Sequence, residues 1–342
     1  MRSRSRSRCD DAPTDRCASR ALTGTGNDVT GIVITPVDGI GEVAPGTDIG
    51  ELICRSTTLL DGDVVVVTSK IVSKALGLAT TRDKDEVIAE RTARVVARRG
   101  PTRIVRTHQG LTMAAAGVDA SNLDAGSVLP LPDDPDDQAR RIRATIAERA
   151  AVKVGVIISD TAGRAWRMGQ TDLAIGCAGV LPIESFAGRT DTHGNPLAVT
   201  APAVADEIAG AAELASGKLG GRPIMIVRGL PDHLLLDDDG PGAAELIRDQ
   251  DGDLFGLGAR DAVEAAVAGL TAGFPSPDAT VEDLMNLVDH DVPVSIDGDR
   301  VTFRPAPHQR VAAGRAAERL RILSAAHRLA VDISIDPADG SP

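Results

Sequence analysis

Two hydrophobic periods run through this chain. Val64-Val-Val-Val-Thr-Ser69 is almost continuously apolar, which suits a strand covered on both faces. Val154 to Ser159 and Ile224 to Val227 read the same way, and Val29 to Val37 alternates into a short strand before the turn Asp38-Gly-Ile-Gly41. Ile104 to Thr107, Gly110 to Ala115 and Leu197 to Thr200 read as shorter extended pieces. Helical spacing covers Asp48 to Leu60, Asp85 to Arg99, Gln138 to Arg149 and Ala203 to Leu214. In the second of these, Val87, Ile88, Ala89, Val95 and Val96 form the apolar face, and Pro202 opens the last. Asp61-Gly-Asp63 is a turn signal, and Leu129-Pro-Leu-Pro-Asp-Asp-Pro135 is a rigid connector.

The texture changes after Asp251. Asp261 to Leu270, Val281 to Val288 and Ala312 to Leu329 have helical patterns, and Val292 to Arg304 reads as a hairpin around Asp297-Gly298. Strands and helices mix without a strict β-α-β cadence, so the pattern predicts a mixed α+β protein rather than a Rossmann sheet. The division expected is a disordered tail over 1–28, a main domain over 29–250 and an extension over 251–342.

Composition narrows the class. The net charge of −12 argues against a general nucleic-acid binder, which needs basic surface to displace counterions. No apolar run reaches the length of a membrane span. The opening Arg-Ser repeat lacks the apolar stretch of a secretory signal. Cys9, Cys17, Cys54 and Cys177 fit no zinc spacing and read as reduced thiols of a cytoplasmic protein. The basic residues include only five lysines, Lys70, Lys74, Lys84, Lys153 and Lys218, and two of them fall in Ser69-Lys-Ile-Val-Ser-Lys74. Lysines at a strand exit can meet polyphosphate oxygens as point charges, or simply form a solvated turn.

The strand from Val154 runs into Asp160-Thr161 and then a turn-rich stretch holding the single tryptophan, Trp166. A carboxylate and a hydroxyl at a strand tip can hold a hard cation against a phosphate; the plainer alternative is the start of a turn. Asp119-Ala-Ser-Asn122 offers a second carboxylate and an amide, or else an Asx turn or helix cap. Gly217-Lys218 is not a Walker loop, because Leu219 stands where Ser or Thr would bind magnesium and a helix precedes it. Asp237-Asp-Asp239 could ligate a cation but fits a solvated loop better, and His193 sits in a polar turn.

Several segments taken together resemble the coenzyme F420-0:γ-glutamyl ligases. They are Gly62 to Lys74, Ala114 to Asn122, Ile158 to Asp172, Asp191 to Asn195, Ala205 to Ile208 and Ile226 to Gly229, in the family's order. Asp251 to Gly258 is similar to the junction of the actinobacterial fused form, but the remaining chain is too short for that form's flavin-binding reductase domain. The resemblance implies a two-lobed ligase domain with mixed sheets, followed by a small α+β extension. It implies transfer of phosphate from GTP to the terminal carboxylate of F420-0, attack by the amine of L-glutamate, and no covalent enzyme nucleophile. Asp119 and Asp160 would hold one divalent cation, Mg or Mn, and Thr161 would contact a second; a monovalent cation is a further expectation. Ser69, Lys70, Lys74 and Asn122 would bind GTP, with Ile40-Gly-Glu-Val43 and the loop carrying Gly217 and Lys218. Asp119, Asp160 and Lys74 would carry the chemistry.

Gly41 stands where relatives often have Pro, and Lys218 where some archaeal relatives have a metal-binding amide. An ammonium cannot ligate a cation, so a second metal would be held differently or replaced by that charge. The resemblance also implies a homodimer. The alternative is a non-catalytic nucleotide-binding subunit whose Arg-rich helix, Val311 to Leu329, docks a separate flavin reductase; the plainer reading of that helix is packing within the chain.

Overall fold

The computed structural model describes residues 31–121, 123–217 and 220–336. The proposed tail over 1–28, Cys9, Cys17, Asn122, Lys218 and the end of the chain lie outside them. In chain order the first elements are β1 (Val33–Pro36), α1 (Ile49–Ser56), β2 (Val64–Thr68), α2 (Ser69–Ala75), α3 (Lys84–Arg91), β3 (Thr92–Arg99), β4 (Thr102–Thr107) and β5 (Thr112–Ala114). The middle of the chain forms α4 (Pro135–Ala150), β6 (Gly155–Arg164), β7 (Arg167–Ala178), β8 (Arg189–Thr190), β9 (Pro196–Leu197), α5 (Val204–Ser216) and β10 (Ile224–Arg228). The last part holds α6 (Ala259–Val267), α7 (Val281–Leu287), β11 (Val294–Asp297), β12 (Arg300–Phe303), α8 (Arg310–Ala326) and β13 (Asp332–Ile335).

The architecture is α+β. A mixed sheet in the order β1-β10-β2-β6-β7 forms the centre. Only the β2–β6 pairing is parallel in it, joining Val64 to Thr68 with Gly155 to Ser159. The all-apolar run of β2 is explained by burial on both faces. Val65 and Val67 join Ile53, Ile142 and Ile158 beneath α1 and α4, while Val64 and Val66 join Ile157, Ala209 and Met225 beneath α5. Small alanines let α5 lie close to the sheet, which offsets the scarcity of aromatic residues. A second sheet, β3-β4-β5, is wholly antiparallel.

Two carboxylates pin this frame, one through an arginine and one through backbone amides. Asp63, fully buried in the turn before β2, accepts Nε and Nη2 of Arg228 at 2.6 and 2.7 Å and the amide of Leu60 at 2.8 Å. The Ile226-Val-Arg-Gly229 motif is therefore a structural clamp across β10 and β2. Asp136, in the first turn of α4, accepts the amides of Cys177 and Ala243 at 2.8 and 2.7 Å. The Cys177 thiol beside it is pushed up to about 12 by burial, with Asp136 and Asp206 adding to the effect.

The sequence reading needs four corrections. Asp85 to Arg99 is not one helix: α3 ends at Arg91 and the chain continues as β3. Val95 and Val96 are β-branched, and pairing with β4 satisfies backbone groups that a longer helix would have kept to itself. The strand from Val154 does not stop before Asp160, because pairing with β7 carries β6 on to Arg164. Pro135 is no longer part of a connector but opens α4, with Asp134 as its cap. Leu197 to Thr200 keeps only Pro196–Leu197 as strand.

Residues after Ala279 build a core of their own around Leu284, Val301, Phe303, Ala316 and Leu320. The Arg-rich α8 packs its small face into that core, through Ala313, Ala316 and Leu320. The segment before this core, leading into α6, is joined to β3 by the Gly258 amide on Val96 O at 2.7 Å. Among the described residues no helix is long and apolar enough to cross a membrane.

Replacing Arg228 by Met strands the Asp63 carboxylate in the interior. We expect a loss of about 3 kcal/mol or more in urea unfolding, with partial recovery when Asp63→Asn is added.

Candidate active site

The cavity lies where the parallel pair ends. β2 leaves the sheet at Thr68 and turns directly into α2, while β6 continues past Ser159. Beyond that point β6 pairs only with β7, so no strand covers its other edge. Asp160 and Thr161 fall on this overhang, and Ser69, Lys70 and Lys74 on the turn and helix beside it. Carboxyl ends of parallel strands are the usual place for a ligand in such a sheet.

All of these line one cavity of about 830 Å³, together with Ile40, Gly41, Glu42 and Val43, Asp119 and Ser121, and Ser216 and Gly217. The two aspartates that sequence reasoning paired thus share a cleft. His193 and Asp237 to Asp239 are not part of it. Asp191 caps the His193 turn by accepting the amides of His193 and Asn195, each at 2.8 Å. Asp237 and Asp239 pair with Lys153 and Arg143 at 2.9 and 2.7 Å, as a charged surface loop does.

The charges in the cavity are paired across elements. Lys70 Nζ lies 2.6 Å from Asp119 Oδ2 and donates to Ser121 Oγ at 2.7 Å. Asp119 Oδ1 also accepts the amides of Ala120 and Ser121 at 2.7 and 2.8 Å, so the Asx turn and the charged role coexist. Partial burial opposes ionisation of Asp119, but hydrogen bonds from Lys70 and Ser121 outweigh it and hold the carboxyl at about 2. Lys74 Nζ meets Glu42 Oε1 at 2.5 Å, tying α2 to the loop after β1. Arg222 Nε meets Asp38 Oδ1 at 2.7 Å and draws the loop after α5 toward the same segment. Ser69 Oγ donates to Asp160 Oδ1 at 2.6 Å.

Sequence reasoning gave no role to Asp172, which lines the cavity and is only 3% exposed. It accepts from Ser159 Oγ at 2.8 Å and Thr161 Oγ1 at 2.7 Å. The signal was available in the alternation of Ser159 and Thr161, which puts both hydroxyls on one face, but only the hairpin register sets Asp172 opposite them.

Carboxylates and hydroxyls suit a hard cation such as Mg or Mn. Among the described residues no three His, Cys, Asp or Glu side chains gather into a ready-made cage. A cation bound there would take its remaining ligands from water and phosphate oxygens, as Mg commonly does.

Residues 78–229 match the model of the family described as F420-0:Gamma-glutamyl ligase. The chain is similar to the coenzyme F420:L-glutamate ligase of Methanopyrus kandleri, 38% identical over 243 residues, or 65% of this chain and 96% of that protein. It is 39% identical over 252 residues to the ligase of the same name from Methanothermobacter thermautotrophicus, which covers 66% of this chain and 99% of that one. A third, from Archaeoglobus fulgidus, is 38% identical over 220 residues, 58% and 88% of the two chains. The chain belongs to the F420-0:γ-glutamyl ligase family. It is a ligase, and the cavity at the end of β2 and β6 is the candidate for its active site.

The Lys70–Asp119 pair can be tested by titration. The folded carboxyl sits below its ordinary value of 3.8, so the pair contributes fully above pH 3.8 and is lost as the pH falls toward about 2. In Lys70→Met the lowering partner is gone while burial stays, so carboxyl NMR should find the Asp119 pKa moved upward.

Proposed function

We propose that this chain is a GTP-dependent ligase that joins L-glutamate through its amine to coenzyme F420-0, forming a γ-linkage and releasing GDP and phosphate. What carries the reading is the meeting of Lys70, Lys74, Asp119, Asp160 and Thr161 around one cavity, in a chain whose relatives bear the name coenzyme F420:L-glutamate ligase. In the first step a carboxylate oxygen of F420-0 attacks the γ-phosphorus. The bond to the β–γ bridging oxygen breaks and GDP leaves. In the second step the glutamate amine attacks the acyl carbon of the resulting acyl phosphate, loses a proton, and expels inorganic phosphate.

The protein's part is placement and charge. Lys70 and Lys74 exchange their carboxylate partners for phosphate oxygens and orient the triphosphate. Ser69 and the Ile40 to Val43 loop border the nucleotide, and Gly217 brings backbone close on the opposite side; Asn122 and Lys218 complete the proposed set. Asp119, Asp160 and Thr161 would hold the divalent cations, Mg or Mn, which when bound screen the phosphoryl charge. Binding of two cations is part of the proposal. It extends to a homodimer, for which the hairpin tip between β6 and β7 offers apolar surface: Trp166 is 82% and Met168 96% exposed.

The test is purified protein with GTP, Mg or Mn, L-glutamate and F420-0, read by mass spectrometry. The expected product is F420-0 carrying added glutamate; its absence with every metal would reject the reading. Asp160→Asn should abolish turnover without altering the circular dichroism spectrum, and wild-type activity in that variant would remove Asp160 from the mechanism. Lys74→Ala should raise the KM for GTP by about tenfold or more, on the scale of one lost charged contact.

A further inference from the structure

Asp172 poses a physical problem that its neighbours do not. Asp172 is only 3% exposed, yet its side-chain hydrogen bonds come from hydroxyls, and among the described residues no cationic side chain forms an ion pair with it. Its partners are two hydroxyls, Ser159 Oγ at 2.8 Å and Thr161 Oγ1 at 2.7 Å. The other buried carboxylate, Asp63 in the turn before β2, has a bidentate arginine. A buried charge without a countercharge is costly unless a cation supplies it. Asp172 faces the cavity in which the proposed cation site lies.

The hydrogen bonds have a direction that matters. A hydroxyl has a single proton, and Thr161 gives its proton to Asp172. At its other positions Thr161 Oγ1 can therefore act only as an acceptor, which is the polarity a cation requires. The same holds for Ser159, which also lines the cavity. Thr161 and Asp172 are direct partners in the β6–β7 register, so the arrangement is built into the strand pairing and not into a mobile loop.

We infer that Asp172 is a positioning residue for cation binding: it fixes the Thr161 hydroxyl with its oxygen toward the cation and supplies the negative charge behind it. This rests on the reading of the cavity as a cation site. Residues that orient a metal ligand from behind typically change metal affinity by about ten- to a hundredfold when replaced.

The experiment is Mn2+ binding to the full chain without nucleotide, followed by electron paramagnetic resonance, in wild type, Asp172→Asn, Thr161→Val and the double variant. Asp172→Asn should weaken Mn2+ binding about tenfold or more. Its melting temperature should hold or rise, since the substitution removes a buried carboxylate that no cationic side chain pairs with among the described residues. A carboxylate with a purely structural role would give the reverse, a lower melting temperature with Mn2+ affinity intact, and that result overturns the inference. In the Thr161→Val background Asp172→Asn should have a smaller effect, because the hydroxyl it orients is gone and only its charge still acts. Full additivity would overturn action through Thr161. If wild type binds no Mn2+, the cation reading itself falls and takes this inference with it; if wild type and Asp172→Asn bind equally, only this inference falls.

Discussion

The site depends on an unequal ending. Strands β2 and β6 run parallel and in register from Val64 and Gly155, but β2 stops at Thr68 while β6 runs on to Arg164. The stop follows from the chain turning at once into α2, whose Ser69 and Lys70 are its first residues. The continuation is paid in hydrogen bonds by β7 alone. If β2 ran two residues further, it would cover the edge of Asp160 and Thr161 and fill the space where Lys70 and Lys74 now stand. The cavity is the volume that this mismatch leaves.

The rest of the fold holds that mismatch in place. Double-sided burial holds β2 between two cores, and because its four successive valines are interchangeable between the faces, its register is set at its ends. The Asp63–Arg228 clamp fixes the start of β2 against β10. The bonds of Asp136 to the amides of Cys177 and Ala243 fix the far end of β7.

Those polar groups carry alternating roles along one strand. Asp160 faces the side of Ser69, and Thr161 the side of Asp172. One strand therefore offers donors to the cavity from both of its faces, and each is steadied by a partner from a different element. Lys70 and Lys74 are likewise steadied by Asp119 and Glu42. The lysines are thus held in place by pairs of opposite charge, and under the function proposed above a polyphosphate would replace the carboxylate partners. That is a way of keeping a charged site ordered without filling it.

Much of this was legible in the residues. The continuous apolar run of Val64 to Thr68 determined a buried strand, because no other element hides four consecutive valines so readily. The lysines after it and the acid and hydroxyl at 160 and 161 determined a polar strand exit. The Asx geometry at Asp119 was equally local. Other features were decided only by tertiary structure. Val95 and Val96 fit a helix face by spacing, and it is the presence of β4 alongside that makes them a strand. Asp172 looked like one more polar residue, because its partners lie across a hairpin whose register depends on how the chain turns at Trp166. Arg228 read as part of a family motif, and its clamp on Asp63 joins positions far apart in sequence. The division is physical: local order follows from side-chain period and backbone preference, whereas pairing across elements depends on which strands become neighbours, and that is an outcome of the whole core.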